Sequence, residues 1–158
     1  MTTGAVMSSS LAAHPAFAGL SVAGRERLAQ ALVMRRLATG QALCSAGVIP
    51  SEVLVILEGE SRLLVRDRDR LRTLEKLGPG SFVGLASMLT VSPCEEVSAA
   101  TDLTATAIGD AVVLDLLRTE PSFAAWCAGT VFSAELAAAL GPELNAAAAA
   151  SGSLLELV

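Results

Sequence analysis

Between Leu77 and Cys94 the chain carries no charged side chain, yet Gly78, Pro79, Gly80, Gly84 and Pro93 interrupt that run. Prolines and glycines at those positions break a helical hydrogen-bond ladder, so the longest uncharged stretch cannot be a membrane-spanning helix. It must be a loop with tight turns. The segments before it are short apolar runs: Val53-Leu-Val-Ile-Leu57, ended by Glu58-Gly59-Glu60, then Leu63 to Val65, then Leu71 to Leu77. Arg66-Asp-Arg-Asp-Arg70 separates the last two and predicts a hairpin with a self-neutralised, solvated tip.

After the loop, Val97 to Asp102 and Leu103 to Ile108 are rich in Thr and β-branched residues and are read as strands, with Val112 to Leu117 as a further one. Short strands with glycine-bearing turns, grouped mid-chain, predict a mainly β domain with flanking helices, a β-roll or jelly-roll barrel. Before it, Ser21 can cap a helix near 22 to 34 in which Leu28, Ala31 and Leu32 share a face. After it, Pro121 suits the first turn of a helix that carries Phe123, Trp126, Val131 and Phe132 and stops at Gly141-Pro142. The expected organisation is a flexible leader over 1–13, the roll domain over 14–140, and a short helix or tail over 141–158, ending on the apolar Leu154-Leu-Glu-Leu-Val158. That ending reads as a docking tail or as the edge of a domain from a longer protein.

The chain of 158 residues is about the size of one domain. Its net charge of −5 gives no general attraction to nucleic acid or to an anionic membrane. Cys44, Cys94 and Cys127 are odd in number and far apart, which fits neither a disulfide framework nor the close pairs of a zinc site. Met1 to Met7 lacks a basic segment of the signal-peptide kind. The expectation is a cytoplasmic protein without direct membrane insertion or nucleic-acid binding.

Catalytic constellations are missing. Gly78, Gly80 and Gly84 have the wrong spacing for a dinucleotide fingerprint, no Gly-Lys-Ser/Thr P-loop exists, and Ser87 has only the distant His14 as a histidine partner. One histidine is too few for a metal-dependent β-roll enzyme. No enzyme activity, metal or catalytic residue is expected.

Leu37-Ala-Thr-Gly40, Ala46-Gly47, Ser51-Glu-Val-Leu-Val-Ile-Leu-Glu-Gly59, Gly78-Pro-Gly-Ser-Phe-Val-Gly84 and Ala99-Ala-Thr-Asp-Leu103 follow one another as the motifs of the cyclic nucleotide-binding domain family do. The chain resembles that family over roughly residues 15 to 140. The resemblance implies a ligand pocket around Gly80, Phe82, Val83, Gly84, Leu85, Ala86, Ser87, Pro93 and Cys94. It also implies terminal helices that move against the roll, making Phe123, Trp126, Phe132, Leu136 and Leu140 interaction candidates.

The family places a glutamate after the Phe-x-Gly sequence for the ribose and an arginine one short helix later for the cyclic phosphate. Leu85 stands at the first position and Pro93 at the second, with Cys94 beside it. From Leu77 to Leu117 there is no Lys, Arg or His, while Glu95, Glu96, Asp102, Asp110 and Asp115 are acidic. Hydrogen bonds to charged groups contribute about 1.5–3 kcal/mol each, so losing both anchors removes about 3–6 kcal/mol. That weakens binding on the order of a hundred- to ten-thousand-fold. The expected function is a non-catalytic regulatory or protein-interaction domain with a degenerate cassette, no cofactor, and cAMP or cGMP disfavoured. Its partner would be a protein or a linked effector domain, with the C-terminal helices as a homodimer surface. The alternative is a small-molecule sensor that reads a cyclic nucleotide or another ligand in the roll pocket.

Overall fold

A computed structural model describes residues 8–130 apart from Cys94, together with Phe132 and Ala134. Two short helices open the chain, α1 (Ser9–Ala12) and α2 (Val22–Ala31), followed by strands β1 (Val33–Leu37), β2 (Ala42–Cys44), β3 (Glu52–Glu58), β4 (Ser61–Asp67), β5 (Arg70–Leu77) and β6 (Phe82–Val83). Then come α3 (Leu85–Thr90), β7 (Val97–Ala99), β8 (Leu103–Gly109), α4 (Asp110–Thr119) and α5 (Pro121–Gly129). Among the described residues the strands form two four-stranded antiparallel sheets, ordered β1-β8-β3-β6 and β2-β7-β4-β5. This is the expected roll with helices before and after it.

Strand β3 explains why its sequence is a continuous apolar run rather than an alternating one. Leu54 and Ile56 face the interior of the roll with Leu63, Val83, Val97 and Leu103. Val53 and Val55 face the other way, into a second core built with Phe17, Leu28, Leu116 and Phe123 of the helical layer. Alternating side chains are therefore buried on both faces of the sheet. The β4–β5 hairpin pairs from Ser61↔Leu77 to Asp67↔Arg70, with Arg68 at φ 58° in its charged tip.

Several sequence expectations are corrected. The helix near 22 to 34 ends at Ala31, and Val33–Leu37 is a strand laddered on β8 from Val33↔Ala107 to Leu37↔Leu103. Tertiary pairing there overrides helical continuity. Val112 to Leu117 lies in helix α4, not in a strand. Val113 and Leu116 are its buried face at helical spacing, and Asp110 in the first turn and Arg118 in the last suit the helix dipole. The strand expected over Val97 to Asp102 stops at Ala99. The helix from Pro121 ends at Gly129, short of Gly141-Pro142. Within the expected leader, Ser9–Ala12 is helical, Ser8 caps it, and Leu11 is buried in the helix-side core. Residues 135–158 lie outside the described residues, and with them the expected tail.

Candidate functional site

The glycine-rich loop is pinned to the roll by its backbone. Gly80 donates its amide to the Ile56 carbonyl at 2.8 Å, and Ile56 donates to Ser81 at 3.0 Å. Phe82 and Val83 then pair with Val55 and Leu54. At Gly84 the chain turns into α3 with φ +93°, where a Cβ would come within 3.0 Å of Pro50 Cγ. Only glycine meets both demands at no cost.

At the start of α3 sits a buried carboxylate. Glu95, 5% exposed, accepts the Gly84 amide on Oε2 and the Ser87 amide on Oε1, both at 2.8 Å. These are charge-assisted bonds to donors that a helix start leaves without helical partners. An acidic side chain thus occupies the place from which backbone amides would greet an anion.

Beside this carboxylate lies a cavity of about 210 Å³. Leu63, Glu75 and Leu77 of the hairpin form one wall, Gly80, Ser81, Phe82, Ala86 and Glu95 the cassette side, and Trp126, Thr130, Phe132 and Ala134 the cover. Phe82 and Trp126 have ring centroids 5.0 Å apart, and Phe132 meets Trp126 edge-on at 6.3 Å. Thr130 Oγ1 donates to the Trp126 carbonyl at 2.6 Å, which ties the end of α5 to the covering residues. The charged side chains of the lining are Glu75 and Glu95; none of the lining residues is basic. Arg62 is exposed on β4, and Arg118 pairs with Asp115 on α4 at 3.1 Å, so neither closes over the cavity mouth.

Of the residues expected from sequence, Gly80, Phe82 and Ala86 line the cavity. Gly84 and Ser87 contribute the amides bound to Glu95. Val83 packs into the roll interior and Leu85 into the helix-side core, so both shape the loop from behind. Pro93 is exposed and is absent from the lining; Cys94 lies outside the described residues. Among the interaction candidates, Phe123 is fully buried and stacked on Phe17 at 6.0 Å, while Trp126 and Phe132 are half-buried at the cavity. Leu136 and Leu140 lie outside the described residues.

Sequence reasoning missed Glu95 as a partner of the loop, treating it only as an opponent of anions. The available signal was an acidic residue closing an uncharged run that begins a helix. It also missed Glu75, Ser81, Thr130 and Ala134, which tertiary folding brings to the cavity.

The sequence model of the cyclic nucleotide-binding domain matches residues 34–120, more than half of the chain. The chain belongs to the cyclic nucleotide-binding domain family. No curated protein sequence matches this family member. Among solved structures it is similar to the regulatory subunit of a cAMP-independent protein kinase A from Trypanosoma brucei, in a triply substituted form bound to cAMP. That match has 22% identity and a TM-score of 0.59, covering 75% of this chain and 48% of the other. The corresponding subunit from Trypanosoma cruzi, bound to guanosine, matches at 20% identity and TM-score 0.57, covering 73% and 46%. The Thermus thermophilus catabolite activator protein matches at 24% identity and TM-score 0.61, covering 87% and 62%. At these identities the likeness is one of fold. This cyclic nucleotide-binding domain spans about half the length of the two kinase subunits. Among the described residues, no helix is long and apolar enough to cross a membrane, and no group of three or more His, Cys, Asp or Glu side chains could hold a metal ion.

Proposed function

We propose that this domain is a regulatory and protein-interaction module without catalysis of its own, and that its pocket rejects cAMP and cGMP. One observation carries the reading: the Glu95 carboxylate holds the Gly84 and Ser87 amides in a cavity whose lining has no basic residue. A cyclic phosphate placed there would be desolvated beside a carboxylate with no counter-charge, and burying an unpaired charge is costly.

The solved relatives support the same direction. In the Trypanosoma brucei subunit bound to cAMP, one of the three substitutions replaces a glutamate by alanine and another replaces a threonine by arginine. The Trypanosoma cruzi subunit is bound to an uncharged nucleoside, guanosine. Two of these relatives are regulatory subunits, which supports an effector that is either covalently linked or bound through Trp126 and Phe132. The odd number and wide spacing of Cys44, Cys94 and Cys127 favour a reducing cytoplasm.

Titration calorimetry of the purified domain with cAMP and cGMP tests the reading. No saturable heat is expected below millimolar concentration. Saturation in the micromolar range overturns it.

A further inference from the structure

We infer that the roll pocket is selective for an uncharged nucleoside, that is, a flat base joined to a sugar diol and carrying no phosphate. The inference rests on the preceding reading and gives that pocket a ligand class.

Glu95 supplies the polar half of the match. Among the described residues each of its oxygens accepts one backbone N–H, while a carboxylate has about four acceptor sites, so both oxygens retain capacity. What can fill that capacity is a donor. A sugar diol supplies two hydroxyl donors, whereas a phosphate offers acceptors only and meets like charge. Glu75, on the hairpin side of the lining, repeats the preference for donors over anions. A carboxylate held by fixed amides, as that of Glu95 is, needs no reorganisation to receive a hydroxyl pair.

Phe82, Trp126 and Phe132 supply the flat half. The Phe82 and Trp126 centroids lie 5.0 Å apart and those of Trp126 and Phe132 6.3 Å apart, and all three residues border the cavity, giving an aromatic surface for a flat base that needs no hydrogen-bond code. The Ser81 residue on the cassette side adds a hydroxyl. At about 210 Å³ the cavity lies below the roughly 300–1,000 Å³ typical of pockets for drug-sized ligands, which favours a nucleoside and disfavours a cyclic dinucleotide.

Trp126 is the single tryptophan of the chain, so its fluorescence reports the pocket directly. Adenosine, guanosine and cAMP are titrated separately against the intact chain, by fluorescence and by calorimetry. The expected result is saturable binding of at least one nucleoside, with affinity at least about tenfold above that for cAMP, equivalent to about 1.4 kcal/mol. Glu95→Ala should narrow that ratio toward unity, and Phe132→Ala should weaken the nucleoside without restoring cAMP. If Glu95→Ala does not fold, as judged by a lost cooperative melt, Glu75→Gln at the exposed wall replaces it and should narrow the ratio in the same direction. Absence of saturation by either nucleoside at millimolar concentration overturns the inference while the rejection of cyclic nucleotides stands. Equal affinity for adenosine and cAMP overturns the charge selectivity. Micromolar cAMP binding sinks the preceding reading itself.

Discussion

His14 donates its Nε2–H to the carbonyl of Gly80 at 2.9 Å, joining a residue ahead of the roll to the entrance of the glycine-rich loop. The tautomer follows from the bonds: a carbonyl only accepts, and Nδ1 accepts the Ala16 amide at 3.0 Å. The ring also lies 5.2 Å from Phe82 and 5.6 Å from Trp126. His14→Ala is expected to cost about 1–3 kcal/mol in urea unfolding, through one hydrogen bond and lost packing. Trp126 fluorescence should shift to the red, and His14→Gln, which keeps a donor, should recover part of both effects. An unshifted spectrum in His14→Ala would show that the latch does not order the aromatic cluster.

By the sequence resemblance Pro93 takes the place of the family's phosphate-binding arginine, and it is exposed, so replacing it leaves the cores intact. The double variant Pro93→Arg with Glu95→Ala should gain affinity for cAMP. One hydrogen bond from a charged donor contributes about 1.5–3 kcal/mol, which corresponds to a gain of roughly ten- to hundredfold. Calorimetry checks it, and no gain in a variant that melts cooperatively would mean that neither residue controls the ligand's charge.

Glu120 is a buried carboxylate that accepts the Ser21 amide at 2.7 Å and the Ser21 hydroxyl at 2.8 Å. Those two bonds hold its pKa below the ordinary glutamate value, with Arg27 helping and Asp115 and burial opposing. A depressed native pKa contributes stability that is present above the unfolded value and lost as pH falls through the native one. Glu120→Gln should therefore destabilise by about 1–3 kcal/mol at neutral pH. The difference from the unsubstituted protein should shrink on acidification below about pH 4.3. Urea midpoints measured across that range decide it.

Burial pushes the Cys127 thiol up to about 11. At pH 8 roughly one molecule in a thousand then carries the reactive thiolate at this position. Iodoacetamide treatment followed by peptide mass mapping should find Cys127 unmodified in the native protein and fully modified after unfolding. Rapid native labelling would place α5 away from the core.

Gly59 closes the β3–β4 turn at φ +93°, and a Cβ there would sit 2.6 Å from the Asp102 carbonyl oxygen. Gly59→Ala should lower stability by about 1–3 kcal/mol or more, read from a thermal melt. A neutral effect would mean that the turn and the Asp102 backbone can separate freely.

Gly59 also shows what the sequence made legible. The ordered glycines at 40, 47, 59, 80 and 84 all adopt positive φ, so each marks a turn that composition alone could place. The two-sided burial of β3 was readable as an unbroken apolar run. Misreadings arose where a local pattern served two structures. Val112 to Leu117 is apolar enough for a strand, and only its contacts with the helical layer make Val113 and Leu116 a helix face. Val33 and Met34 extend the helical reading, yet in the fold they open a strand laddered on β8. In the site, the loop itself was legible because its turns are local. The return of Glu95 to the Gly84 amide spans only eleven residues and left its signal in the acidic end of the uncharged run, whereas the arrival of Thr130 and Ala134 at the cavity depends on long-range closure that no spacing rule encodes.

Ala134 belongs to the apolar cluster of the roll, although among the described residues it follows every strand. During synthesis all eight strands of the two sheets therefore leave the ribosome before this member of their shared apolar cluster. Until that residue has cleared the ribosome the roll lacks part of its apolar packing, and that interval is when it is most exposed to aggregation or to capture by a chaperone.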